Sequence, residues 1–283
     1  MPSSLMPLGV LLSAASQVVL ATSQGPSCKC LPSDDCWPSS ADWAALNSTI
    51  DGQLIQGQPP ASVCYPDEPN YNVAACQDIL DSSWTSSAWH AANPVSIDGP
   101  DPQQGCYPIY GNGTDTIGNP LAGEQGCATW AYPAYVVNAT KEEYIQAGVR
   151  FASKHNLRLN VKDTGHGSQH SQTPGSLSIW THALQDVEFI ENFVPTGSKN
   201  DTSAGRLAMR FGAGMQDRTA FEAAAEHDVV VGGLLVVDIE ARVVTASGDL
   251  VIANEAQNCD LLWGIRGGGH GLAGVITSLT VKA

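Results

Sequence analysis

Residues 157–182 read LRLNVKDTGHGSQHSQTPGSLSIWTH and hold the side chains of this chain best suited to chemistry. His166 sits between Gly165 and Gly167 in a stretch of small and polar residues. An imidazole is a nucleophile, a proton carrier and a metal ligand near neutral pH. Glycines beside it let a ligand come close to the backbone. Two more glycine-rich stretches, residues 212–214 and 267–274, repeat the pattern. Together they predict a site for a large, flat, phosphate-bearing cofactor. The other chemistry open to His166, His170 and His182 is metal binding. A His-x3-His pair binds zinc when both rings share a helix face. The residues from Gly167 to Gly175 do not make a helix, and no nearby Glu completes the set, so no metal is expected.

These residues need elements to position them. Leu157, Leu159 and Val161 alternate with Arg158 and Asn160, which predicts a half-buried strand over 157–161 with its apolar side inward. Residues 177–180 form a second apolar run. A helix is predicted over 140–156, opened by a capping box of Thr140 and Glu143, with Tyr144, Ile145, Gly148, Val149 and Ala152 on one face. A strand over 207–211 leads into Gly212, Ala213 and Gly214. Met215 and Gln216 follow, so the dinucleotide fingerprint is absent and a tight strand-to-helix turn is expected. Next come a helix over 218–227 with Phe221 and Ala224 inward, and a short strand over 229–231. A hairpin of 239–246 with 250–253, a helix over 260–265 and a strand over 275–281 complete the order. Helix and strand intermixed in this way mark an α+β domain.

Composition narrows the setting. The chain has 283 residues, 43% hydrophobic and 14% charged, with a formal net charge of −15. A chain this acidic lacks the concentrated Lys and Arg that nucleic acid requires. Residues 6–21 are apolar and small and end in Val19, Leu20 and Ala21, so 1–21 is expected to be a signal peptide, although no Lys or Arg precedes the apolar run. No later run reaches the ~20 apolar residues of a membrane span. Residues 22–131 form a Cys-, Pro- and Gly-rich extension with short helices expected at 42–50 and 73–84. Seven of the eight cysteines fall in the first half, at 28, 30, 36, 64, 76, 106 and 127, and match no zinc spacing. Either Cys259 pairs back to this group or two thiols stay free. Sequons at Asn47, Asn112, Asn138 and Asn200 agree with a secreted, extracellular glycoprotein.

Four segments carry a resemblance. They are CKCLPSDDCWPSSADWAALN (28–47), YPAYVVNATKEEYIQAGVRFASKHNLRLNVKDTGHG (132–167), GSLSIWTHAL (175–184) and NCDLLWGIRGGGHGLAGVITSLTVKA (258–283). The chain resembles the fungal secreted FAD-linked oxidoreductases with a PCMH-type, vanillyl-alcohol-oxidase-like flavin domain, in the isoamyl-alcohol-oxidase-like and berberine-bridge-enzyme-like branch. The resemblance implies a PCMH-type FAD-binding domain of two α/β subdomains over 132–283. It implies FAD as cofactor, held covalently through His166, with Gly165, Gly167, Gly267, Gly268, Gly269, Gly274 and Val275 flanking it. Peptide N–H groups among such glycines suit a pyrophosphate. The implied reaction is hydride transfer from an alcohol-type or secondary-metabolite small molecule to flavin, with O2 as reoxidant.

The chain also departs from that pattern. The acid that follows the family's motif histidine is Gly167 here, which removes a carboxylate expected to orient the ring. A glycine-rich stretch is shortened near 233–238, and with it goes the cysteine that forms the second flavin link in doubly attached relatives. The substrate domain is expected to be absent, so the resemblance assigns no catalytic acid or base. The alternative reading is a non-catalytic secreted glycoprotein, or a decayed or mispredicted gene product, built on the same scaffold. A third is a disulfide-rich binding module over 28–127.

Overall fold

The computed structural model describes residues 28–99, 105–167, 171–198, 205–233, 239–267 and 274–283. The expected signal peptide, the Asn200 sequon, His170, Gly268, Gly269 and the shortened stretch at 234–238 lie outside the described residues.

The first half begins with α1 (Ser40–Thr49) and β1 (Leu54–Gln56). Ser39 caps α1 in a true capping box with Asp42. Next come α2 (Val73–Asp78), continued by a π-helical turn to Ser83, then α3 (Ser87–Ala92) and α4 (Ala122–Gln125). The chain then runs through β2 (Tyr135–Asn138), α5 (Glu142–Lys154), β3 (Leu159–Lys162) and β4 (Leu177–Trp180). These strands form one mixed sheet in the order β1-β2-β4-β3. β4 runs parallel to both β2 and β3, and β1 is antiparallel to β2. The remainder supplies β5 (Val187–Phe193), β6 (Arg206–Gly212), α6 (Asp217–Ala225), β7 (Glu240–Val244), β8 (Leu250–Asn254), α7 (Cys259–Arg266) and β9 (Val275–Lys282). Its sheet has the order β5-β6-β9-β7-β8 and is antiparallel throughout. The expected hairpin is there, with Val244 opposite Leu250.

The mixed sheet is covered on both faces. On one lie α1 and α5, whose Trp43, Leu46, Ile145 and Val149 pack with Val137, Leu177 and Ile179. On the other lies the cysteine-rich segment. Its Ala61, Tyr65, Val95 and Ile109 bury Val136 together with the Cys64–Cys76 and Cys106–Cys127 disulfides. Val136 and Val137 thus point to opposite cores, as strand neighbours must. A third disulfide joins Cys30 to Cys36, and Cys28 and Cys259 are free, exposed thiols.

Several expectations are corrected. The helix starts at Glu142 with Lys141 as its N-cap and no side-chain cap, so Thr140 and Glu143 form no capping box. Glu142 is instead drawn to a partner in the other sheet. In α6 the buried residues are Ala220 and Ala224, while Phe221 faces outward. Residues 229–231 form no strand. In β3 the alternation runs the other way: Asn160 and Lys162 are buried and Val161 is exposed. The reason is the double covering, since the polar side of β3 meets the cysteine-rich segment rather than water.

Helix α5 also fastens the two sheets together. Glu142 takes two hydrogen bonds from Arg242 of β7, at 2.8 and 2.6 Å, and one from Thr277 of β9 at 2.6 Å. One and two turns on, Gln146 donates to the Gly248 carbonyl and Arg150 pairs with Asp249. Where β6 ends, the backbone passes so close to the 182–184 segment that side chains have no room. A Cβ on Gly214 would lie 2.3 Å from the His182 carbonyl oxygen, and one on Gly212 2.2 Å from that of Leu184. The Gly212, Ala213, Gly214 turn is therefore a packing device.

Two outcomes follow. Gly214→Ala should lower stability by about 2–3 kcal/mol in urea denaturation, because backbone must move. Glu142→Gln should cost about 1–2 kcal/mol at neutral pH, the worth of a charge-assisted hydrogen bond at a half-buried site. Arg242 holds the Glu142 carboxyl below its ordinary 4.5. This contribution is complete above that value and disappears as pH falls through the lowered one, so the two proteins should converge in acid.

Candidate functional site

The site grows from the end of β3. Lys162 is only 1% exposed, yet its amine is fully used. It donates to the carbonyls of His90 (3.1 Å), Ala91 (3.3 Å) and Asp163 (3.1 Å). The first two are the last-turn carbonyls of α3, so a lysine of the sheet caps a helix of the cysteine-rich segment. Its charge also lies 5.8 Å from the Trp180 ring. Burial pushes the amine down to about 8, against the pull of Asp163. His90 is buried and bonded at both nitrogens, to Ser96 Oγ (2.6 Å) and the Trp84 carbonyl (2.8 Å). That carbonyl only accepts, so Nε2 carries a proton and the helix end is locked.

The chain then turns through Asp163, Thr164 and Gly165 to His166. Gly165 has φ +92°, and a Cβ there would meet the Ser96 carbonyl at 3.0 Å and Ile97 Cα at 3.1 Å. Only glycine fits this approach. The Gly165 carbonyl accepts from the Asp98 N–H at 3.1 Å, which ties the loop to the 96–98 segment. His166 Nε2 then lies 3.4 Å from Asp98 Oδ2. The His166 side chain is 63% exposed, so the ring is presented rather than packed.

His166, Thr164 and Asp163 form one wall of a cleft of about 440 Å³. The β6–α6 turn, from Phe211 to Arg218, forms the other, and Ile276 and Leu279 of β9 line it as well. The cleft thus lies where the two sheets meet. Burial pushes the Asp163 carboxyl up, while His182, Lys162 and His166 pull it back. Asp163 Oδ1 and His182 Nδ1 are 3.5 Å apart, and neither buried atom has another hydrogen-bond partner among the described residues. His182 stacks on Trp180, 5.7 Å between centroids.

The glycines singled out in the sequence fall in separate places. Gly165 and Gly167 flank His166 at the cleft. Gly267 ends α7, donating to the Trp263 carbonyl, and does not line the cleft. Gly274 lies against the Val244 carbonyl, and Val275 is buried in the core shared by both sheets, next to cleft-lining Ile276. Asp98, Lys162, Asp163 and Arg218 are features of the site that the sequence reading passed over. Asp163 carried a signal, a carboxylate at a strand end three residues before a glycine-flanked histidine. Asp98 carried none, being 68 positions from His166 in an irregular segment. The described residues that could share an ion are Cys30, Asp34 and Cys36, far in sequence from this loop, and the two thiols are joined in a disulfide. Among the described residues no helix is long and apolar enough to cross a membrane.

No family model matches the chain, but individual proteins do. The FAD-linked oxidoreductase easE of Epichloe festucae var. lolii is 35% identical, covering 91% of this chain and 46% of that protein. The VAO-type flavoprotein oxidase VAO615 of Thermothelomyces thermophilus is 34% identical, covering 100% of this chain and 51% of that protein. The crystal structure of the VAO-type flavoprotein MtVAO615 from Myceliophthora thermophila C1 matches with a TM-score of 0.75 at 33% identity, covering 90% of this chain and 49% of that one. That of MtVAO713 from the same fungus matches with a TM-score of 0.77 at 26% identity, covering 91% and 48%. The chain spans about half the length of the curated relatives it matches. By sequence and by fold, the chain is a homologue of the fungal FAD-linked oxidoreductases and VAO-type flavoproteins, over about half of their length.

Proposed function

We propose that this chain binds FAD in the cleft between its two sheets and is the flavin-binding part of an FAD-dependent oxidoreductase. The observation that carries the reading is the coincidence of two facts. The cleft-lining histidine is the one that the family resemblance marks as a flavin anchor. Homologues named for FAD or for VAO-type flavin chemistry match over nine-tenths of the chain or more. The fit to FAD is chemical as well. A cleft of about 440 Å³ is of ligand-binding size. Arg218, which pairs with Glu222 at 3.0 Å, offers a guanidinium for phosphate at the cleft wall.

When bound, FAD supplies the hydride acceptor, and the donor in this reading is an alcohol-type or secondary-metabolite small molecule, with O2 as reoxidant. His166, exposed on the cleft wall, would hold the flavin and is the side chain that would carry a covalent link if one forms, with O2 as the oxidant for that attachment. Lys162 and Gly165 hold the loop in place, and the β6–α6 turn closes the opposite wall. The same proposal places the protein outside the cell. Three disulfides support this. So does the Asn112 sequon, whose asparagine is exposed in a loop.

The full chain, produced with FAD, should elute from gel filtration yellow, with flavin in stoichiometric amount. The colour should stay with the protein after acid precipitation. His166→Ala should lose the acid-stable fraction by at least about tenfold. A colourless wild-type protein contradicts the proposal.

A further inference from the structure

We infer that Asp98 is the positioning carboxylate of His166, supplied from the cysteine-rich segment in place of the acid that Gly167 lacks. The inference rests on the FAD reading above and adds a residue to it. In the family pattern an acid follows the histidine directly; here that place is Gly167. A carboxylate is nonetheless present. Asp98 Oδ2 lies 3.4 Å from His166 Nε2, a spacing that a small side-chain rotation shortens to a hydrogen bond when a ligand presses the ring into place.

The arrangement is built by the backbone. The Asp98 N–H donates to the Gly165 carbonyl, so main chain next to the histidine fixes main chain at the acid. Gly165 has no side chain because Ser96 and Ile97 occupy that space. Asn93 Oδ1 accepts from the N–H groups of Val95 and Ser96, and Ser96 Oγ meets the buried His90. Lys162 then caps α3 and ties this whole strap to the end of β3. A strap anchored at three points carries Asp98 to the ring. Asp163 also acts on His166 through its charge, but its buried oxygen faces His182 at 3.5 Å. Asp98 is therefore the acid in contact with the imidazole.

Chemically, the carboxylate accepts from Nε2–H and holds the ring in one orientation. The Nδ1 lone pair is then free to face the cleft. Asp98 touches the histidine and is assigned no contact with substrate or flavin, so it acts through His166.

The test compares wild type, Asp98→Asn, Asp98→Glu and the double variant Asp98→Asn with Gly167→Asp, each as the full chain produced with FAD. Total flavin is read from absorbance, the covalent fraction from in-gel fluorescence after denaturation, and folding from the melting temperature. Asp98→Asn should keep its melting temperature and total flavin but lose at least about tenfold of the covalent fraction. Asp98→Glu and the double variant should recover most of it. A purely structural role for Asp98 does not predict rescue by an acid at position 167. Asp98→Asn with undiminished covalent flavin overturns the inference and leaves FAD binding standing. So does a wild type whose flavin is entirely released by acid. A wild type that binds no flavin overturns both.

Discussion

The structure depends on helix α5 being two-sided. One stripe, Tyr144, Ile145, Gly148, Val149 and Ala152, is buried against the mixed sheet. Another row, Glu142, Gln146 and Arg150, reaches the antiparallel sheet through charge-assisted and backbone hydrogen bonds. The apolar stripe supplies burial and the polar row supplies direction. The cleft exists because these two attachments set the end of β3 opposite the β6–α6 turn. A change in the Glu142–Arg242 pair would therefore be felt at His166 even though neither residue lines the cleft.

The cysteine-rich segment is the second requirement. It is a covering layer that buries the outer face of the mixed sheet and donates β1 to it. It also receives Lys162, a charge that an edge strand could not bury without three carbonyl acceptors. The Cys64–Cys76 and Cys106–Cys127 disulfides pin this covering layer where local periodicity is weak. The histidine loop is thus assembled from both halves of the chain, with His166 and its ion-pair partner Asp98 coming from different ones.

Periodic segments were legible in the sequence. The stripe of α5, the β7–β8 hairpin and the closing strand β9 carry their own patterns. What was not legible depended on long-range covering. Val161 and Lys162 exchange their expected sides because a non-periodic segment lies over β3. Thr140 gives up a capping role because Glu142 finds a stronger partner 100 residues away. β1 and β2 are too short, at three and four residues, to announce themselves. At the site, His166 was visible from its glycines, whereas Asp98 is visible only in three dimensions.

The central claim is that FAD lies in the cleft where the two sheets meet, against the His166 loop and the β6–α6 turn. Hydrogen–deuterium exchange with and without FAD tests it most directly. The account predicts added protection in both 163–167 and 211–218, with the distant α1 unchanged. Protection confined to one wall, or found only elsewhere, would contradict it.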